Sequence, residues 1–147
     1  MAIVEGSYRL KENDNLTGIL AAQGVGKLER TLADQIHNQT LTIHYTPEEK
    51  TINQINTYGE QTTVQEYTLD SPPLRKKELG GRVLCDTVYL IDGGFVLKRE
   101  AENGSFVETD SYIFREDEGR LDVLMKCVKH DGEVIEAKRH FVKEGGH

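Results

Sequence analysis

The chain has 147 residues, 18 basic and 25 acidic side chains, a formal net charge of −7 and no tryptophan. That is the length of one domain, and a mean hydropathy of −0.54 is low for a dense globule. No run of 18 apolar residues can span a membrane, the start from Met1 to Gly6 lacks the basic and apolar pattern of a secretory signal, and the acidic balance argues against a nucleic-acid binder.

Residues 4–11 read as a first strand. From Asn13 to His37 the period changes. Leu16, Ile19 and Leu20 fall at i, i+3 and i+4, and Leu28, Leu32 and Ile36 recur every fourth residue. Gly24-Val25-Gly26 separates the two runs, so the segment reads as two short amphipathic helices joined by a glycine turn. Asp14 or Asn13 is placed to cap the first helix. Beyond residue 38, Pro47, Gly59, Pro72-Pro73, Gly80-Gly81, Asp92-Gly93-Gly94, Asn103-Gly104, Glu118-Gly119 and Asp131-Gly132 punctuate segments rich in Thr, Val, Ile, Tyr and Phe. Such pairs make hairpin turns. Strands are predicted near 39–46, 50–57, 62–69, 74–78, 82–90, 95–101, 106–115, 121–129 and 133–143. The expected class is mainly β: one domain over 1–147, an up-and-down antiparallel barrel of ten strands with a helical cap at about 14–37. Closure removes the exposed edges that so long a meander would otherwise leave.

Alternation along the last strand puts Ile135, Ala137, Arg139 and Phe141 on the inward face. A guanidinium among apolar neighbours is costly unless it is paired or wet. Arg139 is therefore a candidate anchor for an anionic group such as a carboxylate, or one half of an ion pair with an inward acid such as Glu100. The preceding strand lines up Leu121, Val123, Met125 and Cys127. In 95–101 the two faces carry Phe95, Leu97 and Arg99 against Val96, Lys98 and Glu100, which suggests a wet interior. Cys85 and Cys127 lack the spacing of a zinc site or a disulfide framework, and a reduced, cytosolic protein is the simplest reading. His37, His44, His130, His140 and His147 show no ligand or triad spacing, and Gly24-Val25-Gly26-Lys27 is not a phosphate loop. No catalytic residue, metal or cofactor is expected. Arg75-Lys76-Lys77 reads first as a solvated strand edge and second as a basic patch for anionic lipid surfaces.

Taken together, these residues resemble the intracellular lipid-binding proteins, the fatty-acid-binding and cellular retinoid-binding proteins among them. Gly6-Ser7-Tyr8-Arg9-Leu10 resembles their G-x-W-K-L opening with tyrosine for tryptophan. Leu16, Ile19 and Leu20 match first-helix ligand contacts, Gly24-Val25-Gly26 the turn, and Arg30 with Ala33 the R-x-x-A of the second helix. Arg139-x-Phe141 aligns with a closing R-x-Y. The resemblance covers about residues 4–143 and implies a calycin-like, partly open barrel holding one fatty acid or similar ligand, with the helix pair as its portal. It implies a head group held by Arg139, with Phe141 in place of the tyrosine. A second arginine, frequent in the family two strands earlier, is missing between Ser111 and Phe114.

The expectation is a cytosolic, monomeric carrier of a fatty acid or other small hydrophobic ligand, without catalysis and with transient contact to membranes. Its expected site comprises Arg139, Phe141, Leu16, Ile19, Leu20, Val25, Ala33, Lys98, Glu100, Tyr112, Phe114, Val123 and Met125. The rival readings are a barrel enzyme, such as an isomerase using Lys98, Glu100, Arg139 and Tyr112 on a lipid-like substrate, and an interaction module whose barrel is filled by side chains.

Overall fold

A computed structural model describes residues 3–34 and 38–144. Ten strands follow one another: β1 (Gly6–Asp14), β2 (Gln39–Thr46), β3 (Thr51–Tyr58), β4 (Gln61–Thr68), β5 (Leu74–Lys77), β6 (Val83–Ile91), β7 (Gly94–Ala101), β8 (Phe106–Arg115), β9 (Arg120–Lys129) and β10 (Val134–Lys143). Two helices, α1 (Leu16–Ala22) and α2 (Lys27–Asp34), stand between β1 and β2. The predicted strands are all present, within a residue or two at most boundaries.

The strands form one antiparallel sheet in the order β4-β3-β2-β1-β10-β9-β8-β7-β6-β5. Every hairpin joins neighbours, and the chain's first and last strands pair, with Leu10 opposite Phe141 and Asn13 opposite Arg139. The sheet curls until its edges, β4 and β5, meet without joining their ladders. Side chains bridge the seam: Lys76 Nζ lies 3.4 Å from the Tyr67 hydroxyl and 5.5 Å from its ring centre. Their union is a cation–π contact and a hydrogen bond, not a strand pairing.

Aromatic side chains close one end of the barrel. Tyr8 meets Phe114 edge-on at 5.9 Å, and Phe95 stacks on Tyr112 at 4.5 Å. Tyr8 is almost wholly buried and donates its hydroxyl to the Val4 carbonyl at 2.7 Å. Burial, with Glu116 nearby, pushes its pKa up to about 12. Gly94 is obligatory for close strand approach, because a Cβ there would lie 1.7 Å from the Tyr112 carbonyl oxygen.

The helical cap departs from the sequence reading in two ways. First, β1 runs through Asp14, so Asp14 and Asn13 are strand residues. The helix starts instead from Asn15 in the left-handed region at φ 69°, with no side-chain cap. Asparagine tolerates that conformation, and its side-chain amide is spent on the Glu136 carbonyl at 2.9 Å. Second, Leu28 and Leu32 of α2 face solvent. α1 is the helix that covers the barrel, burying Ile19 and Leu20, while α2 packs on α1. Ile36 and His37 lie outside the described residues. Arg30 fastens the intervening turn, donating to the Val25 carbonyl at 2.7 Å.

Candidate functional site

The barrel encloses a cavity of about 760 Å³, lined from α1 and from eight of the ten strands. Leu16, Ile19 and Leu20 form its helical side, and Leu41, Leu97, Val123, Met125 and Phe141 supply apolar wall. Among the expected site residues, Arg139, Phe141, Leu16, Ile19, Leu20, Tyr112, Val123 and Met125 line this cavity. Four others do not. Val25 is buried against Gly80, and Phe114 packs with Tyr8 and Phe95. Lys98 and Glu100 are turned outward and pair with each other at 3.3 Å, both about half exposed. The side chain of Ala33 lies outside the described part.

The correction at Lys98 and Glu100 is one of parity. Leu97 and Arg99 take the inward face of β7, so the alternate residues must point out. This removes two of the four groups assigned to an acid–base reaction. A similar split occurs in the basic run of β5. Lys76 points into the cavity, while Arg75 is on the outside with Glu102. Arg75, Lys76 and Lys77 therefore do not offer three cations on one face.

Arg139 reaches the interior from β10. Its Nε donates to Asn13 Oδ1 at 2.7 Å, and Nη2 donates to Gln39 Oε1. The guanidinium carbon lies 5.3 Å from the centre of the Phe141 ring, so the phenylalanine offers a π-face where a tyrosine would add a hydroxyl. Both hydrogen-bond partners are neutral. Among the described residues no carboxylate forms an ion pair with it. Burial pulls its pKa down, and Tyr112, Tyr58 and Asp110 oppose that. Asn13 and Gln39 engage two of the five N–H groups of the guanidinium.

The remaining polar lining is where the sequence reading fell short. Cross-strand register aligns Asp86 (β6), Arg99 (β7) and Glu108 (β8) on one rung. Arg99 donates to Asp86 through Nε at 3.1 Å and to Glu78 through Nη2 at 2.5 Å. Burial alone would lower the pKa of Arg99, but Asp86, Glu108, Glu78 and Asp110 raise it well above the ordinary value. Gln23, just after α1, donates to Glu108 and accepts from Arg82, which ties the helical cap to the barrel wall.

Asp110 occupies the next rung of β8, opposite Met125. It is 4% exposed. Burial and the adjacent Glu108 push its carboxyl well above the usual carboxylate value. On the rung of Arg139, the register runs through Val123 to Tyr112. The second arginine that the resemblance implied two strands earlier is thus replaced by a tyrosine, with the Asp110 carboxyl group beside it. Burial, and the Asp110 charge, raise the Tyr112 pKa, so its hydroxyl stays protonated.

A ten-stranded curled sheet with two helices after the first strand, enclosing a cavity with an interior arginine, is the calycin-like fold of the lipid-binding barrels. Solved structures carry the same fold. Lipid binding protein 8 of Caenorhabditis elegans superimposes with a TM-score of 0.78 at 19% identity, covering 95% of this chain and 94% of that one. Fatty-acid-binding protein 1 of Echinococcus granulosus does so with a TM-score of 0.77 at 13% identity, over 96% and 97%. A fatty acid binding protein of Schistosoma mansoni, in complex with arachidonic acid, gives 0.74 at 12% identity over 95% and 94%. No protein-family model and no curated protein sequence matches the chain. No helix among the described residues is long and apolar enough to cross a membrane.

Proposed function

We propose that this protein is a cytosolic, monomeric carrier that binds a small hydrophobic acid inside its barrel and performs no chemistry on it. The observation that carries this reading is Arg139, inside a cavity of about 760 Å³ and hydrogen-bonded only to neutral amide oxygens among the described residues. Guanidinium has five N–H donors. Asn13 and Gln39 take two of them, which leaves a fork for a carboxylate. The solved lipid-binding neighbours support the same reading. The volume supports a bound ligand over a barrel filled by its own side chains, since pockets for small molecules run from about 300 to 1,000 Å³.

In this mechanism the acyl chain lies against Leu16, Ile19, Leu20, Leu41 and Met125, and each buried methylene contributes about 0.8 kcal/mol. Arg139 fixes the head group, with the Tyr58 and Tyr112 hydroxyls near it. Native mass spectrometry of freshly purified protein should show a non-covalent adduct of a few hundred daltons. Titration with a fluorescent fatty-acid analogue should show saturable binding, weakened about 10–100-fold in Arg139→Ala, the equivalent of one or two charge-assisted hydrogen bonds. Absence of binding by the wild type, or equal binding by the variant, would sink the proposal.

A further inference from the structure

Polar and apolar atoms share the cavity surface in comparable amounts. A saturated acyl chain would lie against much polar surface, which its methylenes cannot satisfy. Two buried polar atoms of the lining lack a hydrogen-bond partner among the described residues: Gln54 Nε2, a donor, and Asp110 Oδ1. Both residues are more than nine-tenths buried. Both adjoin Tyr112: the Gln54 amide lies beside its hydroxyl, and the Asp110 carboxyl is its neighbour on the same strand face. Along the strand, Asp110 lies one inward position from the rung of Arg139, roughly 7 Å away.

Taken together, an open donor and an open acceptor complement a group that can do both. A hydroxyl accepts one hydrogen bond and donates another. An amine is the poorer match, because Lys76, Arg82, Arg99 and Arg139 outnumber Glu78, Glu108 and Asp110 in the lining. A second carboxylate is disfavoured beside Glu108.

Resting on the carrier reading above, we propose that the cavity selects a hydroxylated hydrophobic acid. Arg139 holds its carboxylate, and Gln54 with Asp110 forms a second polar subsite for a hydroxyl farther along the chain. Burial and Glu108 disfavour the charged form of Asp110, and a neutral hydroxyl adds no further charge to the subsite. Buried groups left unpaired discriminate strongly against a ligand that lacks the matching polar group.

The test compares stearic acid with a positional series of monohydroxystearic acids on the purified full-length chain, by displacement of a fluorescent fatty acid or by calorimetry. The subsite requires at least one mid-chain hydroxy isomer to bind about tenfold or more tightly than stearate. Gln54→Leu and Asp110→Leu, each checked for folding by circular dichroism, should reduce that preference while keeping stearate binding. Arg139→Ala should weaken both ligands by a similar factor. If stearate binds as well as every isomer, ordered water satisfies these atoms and the subsite is refuted, although the carrier reading stands. A preference that survives both leucine variants also refutes it. Failure of all the acids to bind overturns the carrier reading and the subsite together.

Discussion

Arg99→Leu probes the charged rung inside the barrel. The Asp86 side chain has no exposed surface, that of Arg99 is 12% exposed, and their two hydrogen bonds measure 3.1 and 3.4 Å. Leucine removes these bonds and the contact to Glu78 at 2.5 Å. Asp86 would keep only the more distant Lys76, at 3.9 Å. Breaking a buried ion pair by deleting one partner costs about 3–5 kcal/mol, which for a chain of this length lowers the melting temperature by roughly 10 °C. The cost has a definite pH dependence. Burial already raises the Asp86 pKa against the pull of Arg99 and Lys76. Without Arg99 the folded-state pKa rises further above the unfolded value. A carboxyl group raised on folding opposes folding once the pH exceeds its unfolded value, and increasingly so up to the folded one. The penalty should therefore be full at neutral pH and much smaller near pH 3, where the carboxyl is largely protonated in both states. Urea unfolding of wild type, Arg99→Leu and the double variant Arg99→Leu/Asp86→Leu at the two pH values measures this directly. The double variant should recover at least half of the loss. A single-variant penalty below about 1 kcal/mol, or one that does not change with pH, would refute the view that these charges depend on each other.

Two further outcomes concern the outside of the barrel and its strand contacts. On the outer face Asp122 accepts hydrogen bonds from Arg115 Nε at 3.1 Å and Arg120 Nε at 3.0 Å, and its Oδ1 lies 2.7 Å from His140 Nδ1. Burial alone would raise the Asp122 pKa, but His140, Arg120 and Arg115 outweigh it and hold it below the ordinary value. Its stabilising contribution is present above the unfolded pKa and fades as the pH falls through the folded one. Asp122→Asn should cost about 1–3 kcal/mol at neutral pH, and its urea midpoint should approach that of the wild type in acid. Gly94→Ala should cost about 1–3 kcal/mol or more by forcing β7 from β8, seen as a lower melting temperature and as loss of amide protection at Ile113, its cross-strand partner.

The barrel was legible because period and punctuation agree along nearly its whole length: each hairpin carries its own turn chemistry, and each strand its β-branched residues. Arg139 was legible from alternation, since it shares a face with Ala137 and Phe141. The same test applied to β8 would have found Glu108, Asp110 and Tyr112 between the buried ends Phe106 and Phe114, and in β6 it would have found Asp86 between Leu84 and Val88. β7 could not be resolved alone. Val96 and Leu97 are both buried, so only the cross-strand partners Asp86 and Glu108 identify Arg99 as the inward cation. The bonds from Arg139 to Asn13 and Gln39 span 126 and 100 positions. They depend on the closure of β1 on β10 and on the neighbouring β2, which no local pattern specifies.

The seam between β4 and β5 gives the barrel the mechanics of a split ring. A closed cylinder of strands can widen only by breaking main-chain ladders or changing its stagger. Here the circumference is interrupted where Lys76 touches Tyr67. Spreading the slit would cost that side-chain contact and strain the bond from the Asp70 N–H to the Val88 carbonyl at 3.0 Å, while the ladders within the sheet stay intact. The weakest part of the circumference is thus this seam, and it lies apart from the wall that carries Arg139, where β10 is held by unbroken ladders to β1 and β9.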